Sequence, residues 1–167
     1  MPGRRYQGGF SLIEVLIAII LIGIAIASLV AANSSFTKTN AAGTNLSTAE
    51  FLLEQIRELT VLLPVVDPLT EYDTFGPEAD EPTLADYDDL DDFDGAVFSP
   101  PISADRATLN NFAAFTQQVT VENVSKTNFE QVVADRSSYF VRVTVKVLFN
   151  SEEIISAGWV RAWYAEQ

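Results

Sequence analysis

Apolar residues run almost unbroken from Phe10 to Ala32, and the single charged side chain among them is Glu14. A helix of about 23 residues is about 35 Å long, enough to cross the ~30 Å hydrocarbon core of a bilayer. A carboxylate inside such a helix costs about 2.5–3.5 kcal/mol on insertion scales, so anchoring alone does not explain Glu14. Residues 10–32 are therefore predicted to form a membrane-spanning helix in which Glu14 needs a neutralising partner.

The pattern becomes amphipathic after Ala32. Polar residues follow from Asn33 to Asn40, and apolar residues then recur at three- and four-residue steps, as on one face of a helix. These apolar residues are Leu46, Ala49, Leu53, Ile56 and Leu63. Pro64 is expected to end the helix, because proline has no N–H to donate and restricts the residue before it. Residues 33–63 are predicted to be an amphipathic continuation of the first helix.

Residues 64–114 show no sustained periodicity. Prolines and glycines interrupt this segment, and it holds roughly half of the chain's 23 acidic residues. It is predicted to be an acidic, irregular loop region on the surface.

Residues 115–167 alternate between apolar and polar positions, which is typical of strands. The clearest predicted strand ends in a turn at Asn150 and Ser151, and a second strand should return from Glu153 to Tyr164. In the strand before this turn, the alternating apolar positions are Val141, Val143, Val145, Val147 and Phe149. We predict an α+β fold, in which the second half of a long N-terminal helix packs on a C-terminal antiparallel sheet of three or four strands. Trp159 and Trp163 are expected in the core or at its rim, with a binding platform as the alternative.

Composition limits the functions that the chain after the membrane helix can have. The net charge of −13 argues against a nucleic-acid surface, because phosphate binding needs clustered Lys and Arg. The chain has neither Cys nor His, which removes disulfides and the commonest general base. Arg4 and Arg5 precede the helix and the next basic residue is Lys38, so the N-terminus is expected in the cytoplasm and the remainder outside it.

The helix is preceded by a short basic leader, residues 1–9, that ends in Gly8-Gly9 and is followed by Phe10-Ser11-Leu12-Ile13-Glu14. This stretch resembles the N-terminal signature of type IV pilins and of the related pseudopilins of type II secretion. That family has a processing site between Gly and Phe and a Glu at the fifth mature position, which is Glu14 here. An ordinary secretory leader is the alternative, but its apolar core is shorter and its cleavage site lies beyond that core. A plain signal anchor would leave Glu14 unexplained.

The resemblance implies partners and a location. A membrane-embedded prepilin peptidase would cut between Gly9 and Phe10 and methylate the Phe10 amine. The Glu14 carboxylate would pair with the terminal amine of a neighbouring subunit while an inner-membrane assembly platform builds the filament. The protein would be a single-pass protein of the bacterial inner membrane with a periplasmic domain, and would then enter a pilus or pseudopilus.

The acidic run from Asp88 to Gly95 has two interpretations. Closely spaced carboxylates ending in Asp-Gly suit Ca²⁺, and the candidate ligands are Asp88, Asp89, Asp91, Asp92 and Asp94. The alternative is a solvated acidic turn held to the domain by Tyr87, Leu90 and Phe93. The same run resembles an acidic segment of minor pilins of the mannose-sensitive haemagglutinin type.

The functional interpretation is a structural filament subunit and not an enzyme, with no catalytic residues assigned and no cofactor beyond the candidate Ca²⁺. A minor subunit of a type IV pilus is favoured, because an uncompensated acidic loop would repel its copies across a filament lattice. The alternatives are a type II secretion pseudopilin and, from another class, a membrane-anchored domain that binds Ca²⁺ or a ligand.

Overall fold

The computed structural model of the protein describes residues 8–67 and 75–163. The chain divides into two compact units, Met1–Thr44 and Asn45–Gln167. One helix, α1 (Leu12–Thr60), belongs to both units, and an antiparallel sheet follows it in the second. The predicted α+β class, with a long N-terminal helix and a C-terminal antiparallel sheet, is confirmed.

The first unit contains the apolar part of α1. By length and composition, α1 is a helix that could cross a membrane, and no residue of its apolar window is buried by the described part of the chain. Leu12 is 87% exposed and Leu29 is 70% exposed, although both are large apolar side chains. This surface is suited to lipid or to other apolar helices rather than to water.

The second unit buries one face of the last turns of α1. Ala49, Leu52, Leu53 and Ile56 are buried, which agrees with the predicted apolar stripe, whereas Leu46 is 40% exposed. The helix ends at Thr60, earlier than Leu63, and the Leu63 N–H then closes a turn on the Thr60 carbonyl. Pro64 disfavours helical backbone at Leu63, which accounts for a stop ahead of that residue.

Among the residues that the structure describes, the sheet has five strands rather than the three or four expected. They are β1 (Val97–Phe98), β2 (Phe115–Ser125), β3 (Asn128–Val132), β4 (Phe140–Phe149) and β5 (Glu152–Ala162). The order is β1-β2-β4-β5, β3 also pairs with β2, and every pairing is antiparallel. The sequence did not predict β1 and β3, because β1 has only two residues and β3 is exposed along its whole length. Neither strand shows the alternation of buried and exposed residues.

The hairpin of β4 and β5 follows the sequence prediction. Val141, Val143, Val145 and Val147 are buried along β4, and Phe149 is half-buried beside them. Asn150 and Ser151 form the turn with φ values of 51° and 70°, the left-handed backbone that two-residue hairpin turns require. Trp159 and Trp163 are partly buried against the core, as expected of core or rim aromatics.

One polar side chain joins the helix to the sheet inside the core. Gln117 of β2 is fully buried, and its Nε2 donates to the Leu52 carbonyl at 2.7 Å and the Ile102 carbonyl at 3.1 Å. Its Oε1 accepts from the Ile102 N–H at 2.8 Å. Because donors and acceptor are all satisfied, the amide can be buried without a large desolvation penalty.

Candidate functional site

The predicted processing junction lies in exposed, non-helical backbone. Gly8, Gly9 and Phe10 are exposed, and α1 begins two residues after Phe10, at Leu12. Ser11 caps this helix, since its Oγ accepts a hydrogen bond from the Glu14 N–H at 3.2 Å. The Gly9–Phe10 bond is therefore outside the hydrogen-bonded helix.

Glu14 lies in the first turn of α1, and its side chain is exposed within the chain. A carboxylate in this position interacts favourably with the positive end of the helix dipole. Phe10 and Glu14 are thus available at the same end of the helix, as the interpretation of an intersubunit ion pair requires.

The acidic run is not the solvated turn that was its alternative interpretation. Asp89, Asp91 and Asp92 are each at most 2% exposed, and the last two lie in a 3₁₀ turn, Asp91–Phe93. That expectation of exposure was wrong, because local backbone N–H groups compensate the burial. Asp89 Oδ1 accepts from the N–H groups of Asp91 and Asp92, at 3.0 and 3.3 Å.

Apolar residues between the acids hold the run in place, as predicted. Leu90 and Phe93 are fully buried, and the Tyr87 ring meets the Phe93 ring edge-on with centroids 5.3 Å apart. Arg106 adds a contact that the sequence did not suggest. Its guanidinium donates to the carbonyl groups of Leu84, Ala85 and Tyr87, at 2.8, 2.9 and 2.6 Å.

The five predicted Ca²⁺ ligands have different partners in the structure. Asp91 Oδ2 forms an ion pair with Arg136 at 3.0 Å and accepts from the Gly76 N–H at 3.3 Å. Asp94 is exposed, and its Oδ1 accepts from the Val121 N–H at 2.8 Å. Asp88 is exposed as well.

Asp92 is placed differently. Its Oδ2 accepts from the N–H groups of Asp88 and Asp89, at 2.9 and 3.0 Å. A carboxylate oxygen of Asp92 also lies within 4.8 Å of one from Glu78 and one from Glu81, and these two oxygens are equally close to each other. Within residues 8–67 and 75–163, this trio is the carboxylate group with the spacing of metal ligands. We refer to Glu78, Glu81 and Asp92 as the carboxylate trio.

Sequence analysis missed Glu78 and Glu81, because they precede the conspicuous run and a proline follows them. The available signal was their three-residue spacing in a turn-rich segment. The Glu81 N–H donates to the Glu78 carbonyl at 3.1 Å, and Glu81 Oε2 accepts from the Glu78 N–H at 3.2 Å. This turn directs both side chains to the same place.

Burial raises the pKa of several carboxyl groups here. The pKa of Glu78 rises to about 7, first through desolvation and then through its hydrogen bond and charge interaction with Glu81. Desolvation likewise raises the pKa of Asp92 to about 7 and that of Asp89 to about 8, although backbone N–H donors partly oppose both shifts. The pKa values of Asp88 and Asp91 are raised too, chiefly by desolvation, and for Asp91 the Arg136 charge opposes the rise.

An exposed Gly-Phe junction precedes an apolar helix that is long enough to cross a membrane, and a sheet-containing unit follows that helix. The prokaryotic N-terminal methylation motif matches residues 4–30. This motif and this fold support the resemblance of the chain to the type IV pilin and pseudopilin family. No curated protein and no solved structure matches it significantly.

The motif bears on function at a coarse level. It indicates a type IV pilin-like or pseudopilin role, and a structural subunit rather than an enzyme. It implies processing by a prepilin peptidase and assembly with other pilins, and with the apolar helix it supports membrane anchoring.

Proposed function

We propose that this protein is a minor structural subunit of a type IV pilus-like filament. In this proposal the peptidase cuts between Gly9 and Phe10, and the mature chain enters the filament through α1. The observation that carries it is the methylation motif at residues 4–30, which contains the junction and Glu14. The exposed, non-helical backbone at Gly8, Gly9 and Phe10 supports access for a peptidase.

The surface of α1 supports assembly through this helix. Large apolar residues from Leu12 to Val30 are exposed, and none of the residues that the structure describes covers them. Lipid covers them before assembly, and apolar helices of other subunits would cover them inside a filament. Shape packing and polar contacts would then select the neighbour, because lipid and apolar helices are similar in polarity.

A second contribution to assembly would come from an ion pair between subunits. After cleavage, the Phe10 amine and the Glu14 carboxylate are each costly in an apolar environment. Pairing one subunit's carboxylate with another's amine offsets much of this cost, and it favours one axial position of the helices over others. Glu14 would then govern incorporation into the filament without contributing to the fold of the second unit.

The negative charge of the protein favours a minor subunit over the main subunit of a filament. The net charge is −13, and many of the acids lie between residues 67 and 94. Neighbouring identical copies would repel each other through the exposed acids of this segment, such as Asp80, Asp86 and Asp88. The alternative within the family is a pseudopilin of type II secretion, and a membrane-anchored domain that binds Ca²⁺ or another ligand is the alternative from another class.

The proposal predicts that Glu14→Ala and Glu14→Lys abolish incorporation into sheared filaments, while the second unit keeps its melting temperature. The physical reason is that the neighbour's amine loses its partner, and Lys adds a like charge. The measurement is the amount of the protein in the filament fraction relative to the membrane fraction, by quantitative immunoblotting. In the filament fraction, the amount of the wild-type protein relative to the most abundant pilin should be low, as expected of a minor subunit.

Glu50→Ala is the matched control, because Glu50 is an exposed glutamate on the same helix, outside the apolar segment. This variant should enter filaments as the wild type does. Normal incorporation of both Glu14 variants would contradict the proposal. A secretion defect with no filament defect would favour the pseudopilin.

A further inference from the structure

We propose that the carboxylate trio of Glu78, Glu81 and Asp92 is a Ca²⁺ site of the folded unit. This inference concerns the second unit alone and stands independently of the proposed filament role. It replaces the ligand set predicted from the acidic run, of which it retains Asp92.

The first observation is the spacing of the three carboxylates. One oxygen from each lies within 4.8 Å of the others. Ca²⁺ binds oxygen ligands at about 2.3–2.6 Å, so a single ion can bridge oxygens separated by up to about 5 Å. Mg²⁺ binds at about 2.0–2.1 Å in a stricter octahedron and is the poorer fit for widely spaced ligands.

The second observation is the state of Asp92 itself. The residue is 1% exposed, and its Oδ1 is buried and accepts no hydrogen bond from the residues that the structure describes. Its Oδ2 already accepts two backbone N–H groups. The free coordination capacity of this carboxylate is therefore on Oδ1, a buried oxygen that needs either a proton or a cation.

A comparison with Asp91 shows what is missing at Asp92. Asp91 is equally buried and has an Oδ1 without a donor among the described residues, but Arg136 balances its charge through Oδ2. Among the described ion pairs, none involves Asp92, Glu78 or Glu81. A divalent cation would give the trio the charge balance that Arg136 gives Asp91.

Neighbouring groups strengthen the negative potential. Asp88 interacts with Glu81 through its side chain, and the charges of Asp67 and Asp80 also act on Asp88. Glu78 and Asp92 also interact with the Glu81 carboxylate. Backbone from Glu78 to Glu81 forms a hydrogen-bonded turn, and Arg106 holds the segment after it, so the oxygens are positioned before the ion arrives.

The test uses the full-length chain in a non-ionic detergent, stripped of metal with chelator and then titrated with CaCl₂. Calorimetry should find one Ca²⁺ per chain, with a Kd of about 10⁻⁴–10⁻³ M, as in extracellular Ca²⁺ modules. The melting temperature should rise with Ca²⁺, because the ion binds the folded state. Mg²⁺ at the same ionic strength should raise it much less.

The diagnostic variant is Glu78→Gln with Glu81→Gln, which keeps side-chain size and removes two charged ligands. It should weaken Ca²⁺ binding at least about tenfold and lose the melting shift. Asp80→Asn is the matched control, because it removes a charge from the same loop outside the trio, and it should keep most of the shift. Circular dichroism in chelator confirms that each variant folds.

Three results would overturn the proposal. One is the lack of a Ca²⁺-dependent melting shift in the wild type at millimolar Ca²⁺. Another is an equal shift with Mg²⁺ or with NaCl of matched ionic strength, which would indicate charge screening. The third is an unchanged shift in the double variant.

Discussion

At the scale of single residues, the folded unit differs most from the sequence prediction in its carboxyl groups. Asp89, Asp91 and Asp92 belong to a run that composition assigns to the surface, yet they are buried. A sequence shows the number of acids, but their burial depends on backbone N–H groups that only the folded chain directs at them. The apolar residues Leu90 and Phe93, which interrupt the run, were the signal that it packs inward.

Burial of these acids predicts a pH dependence in chelator. The pKa of Asp89 rises from 3.8 to about 8, that of Asp92 from 3.8 to about 7, and that of Glu78 from 4.5 to about 7. Below about pH 4 these groups are protonated in both states, and the raised pKa values cost no stability. As the pH rises to about 8 the unfolded chain loses these protons first, so the free energy of unfolding should fall across this range.

The measurement is urea denaturation of the full-length chain in detergent and chelator, at several pH values between about 5 and 8. Asp89→Asn should make the pH dependence shallower, since its Oδ1 still accepts both backbone N–H groups and it no longer ionises. Asp80→Asn should leave the dependence nearly unchanged. A free energy of unfolding that stayed level or increased with pH would contradict the raised pKa values.

At the scale of elements, the sequence predicted α1 and the β4–β5 hairpin well, because both have strong periodicity and clear end signals. It did not predict the contacts that join them. Gln117 is 65 residues from Leu52, whose carbonyl it binds, and no local pattern encodes such a pairing. The carboxylate trio was missed for the same reason, since the two sides of a loop meet only after folding.

The end of α1 gives a prediction at this scale. Arg161 of β5 donates to the carbonyl groups of Thr60 and Leu63, at 2.9 and 3.0 Å, and so satisfies acceptors where the helix ends. Arg161→Met keeps the side-chain length but removes both hydrogen bonds and a favourable charge at the helix C-terminus. We expect a loss of about 1–3 kcal/mol in the free energy of unfolding, measured by urea denaturation.

Lys146→Met is the matched control for this change. Lys146 is also a basic strand residue, but it pairs with Glu153 at 3.2 Å on the surface, and both side chains are nearly half exposed. Such pairs contribute about 0–1 kcal/mol. Equal effects of the two substitutions would mean that Arg161 does not stabilise the end of the helix.

At the scale of the whole molecule, the two units carry different features. The first unit carries the motif and an apolar helix surface that is exposed among the described residues, and the second carries the sheet, the core and the acidic run. The function proposed for the first unit rests on linear features, namely a junction, a single acid and an apolar stretch, so the sequence alone could suggest it. The Ca²⁺ site proposed for the second unit required the fold, because Glu78 and Glu81 meet Asp92 only in the folded chain.

The proposed function requires that this chain is a prepilin whose mature form begins at Phe10. Mass spectrometry of the protein isolated from its native membrane tests that claim most directly. We expect a mature chain that starts with N-methylated Phe10 and lacks residues 1–9, and an accumulated precursor when the peptidase is removed. A chain that still begins at Met1 in peptidase-containing cells, or that is cut at any other bond, would contradict it.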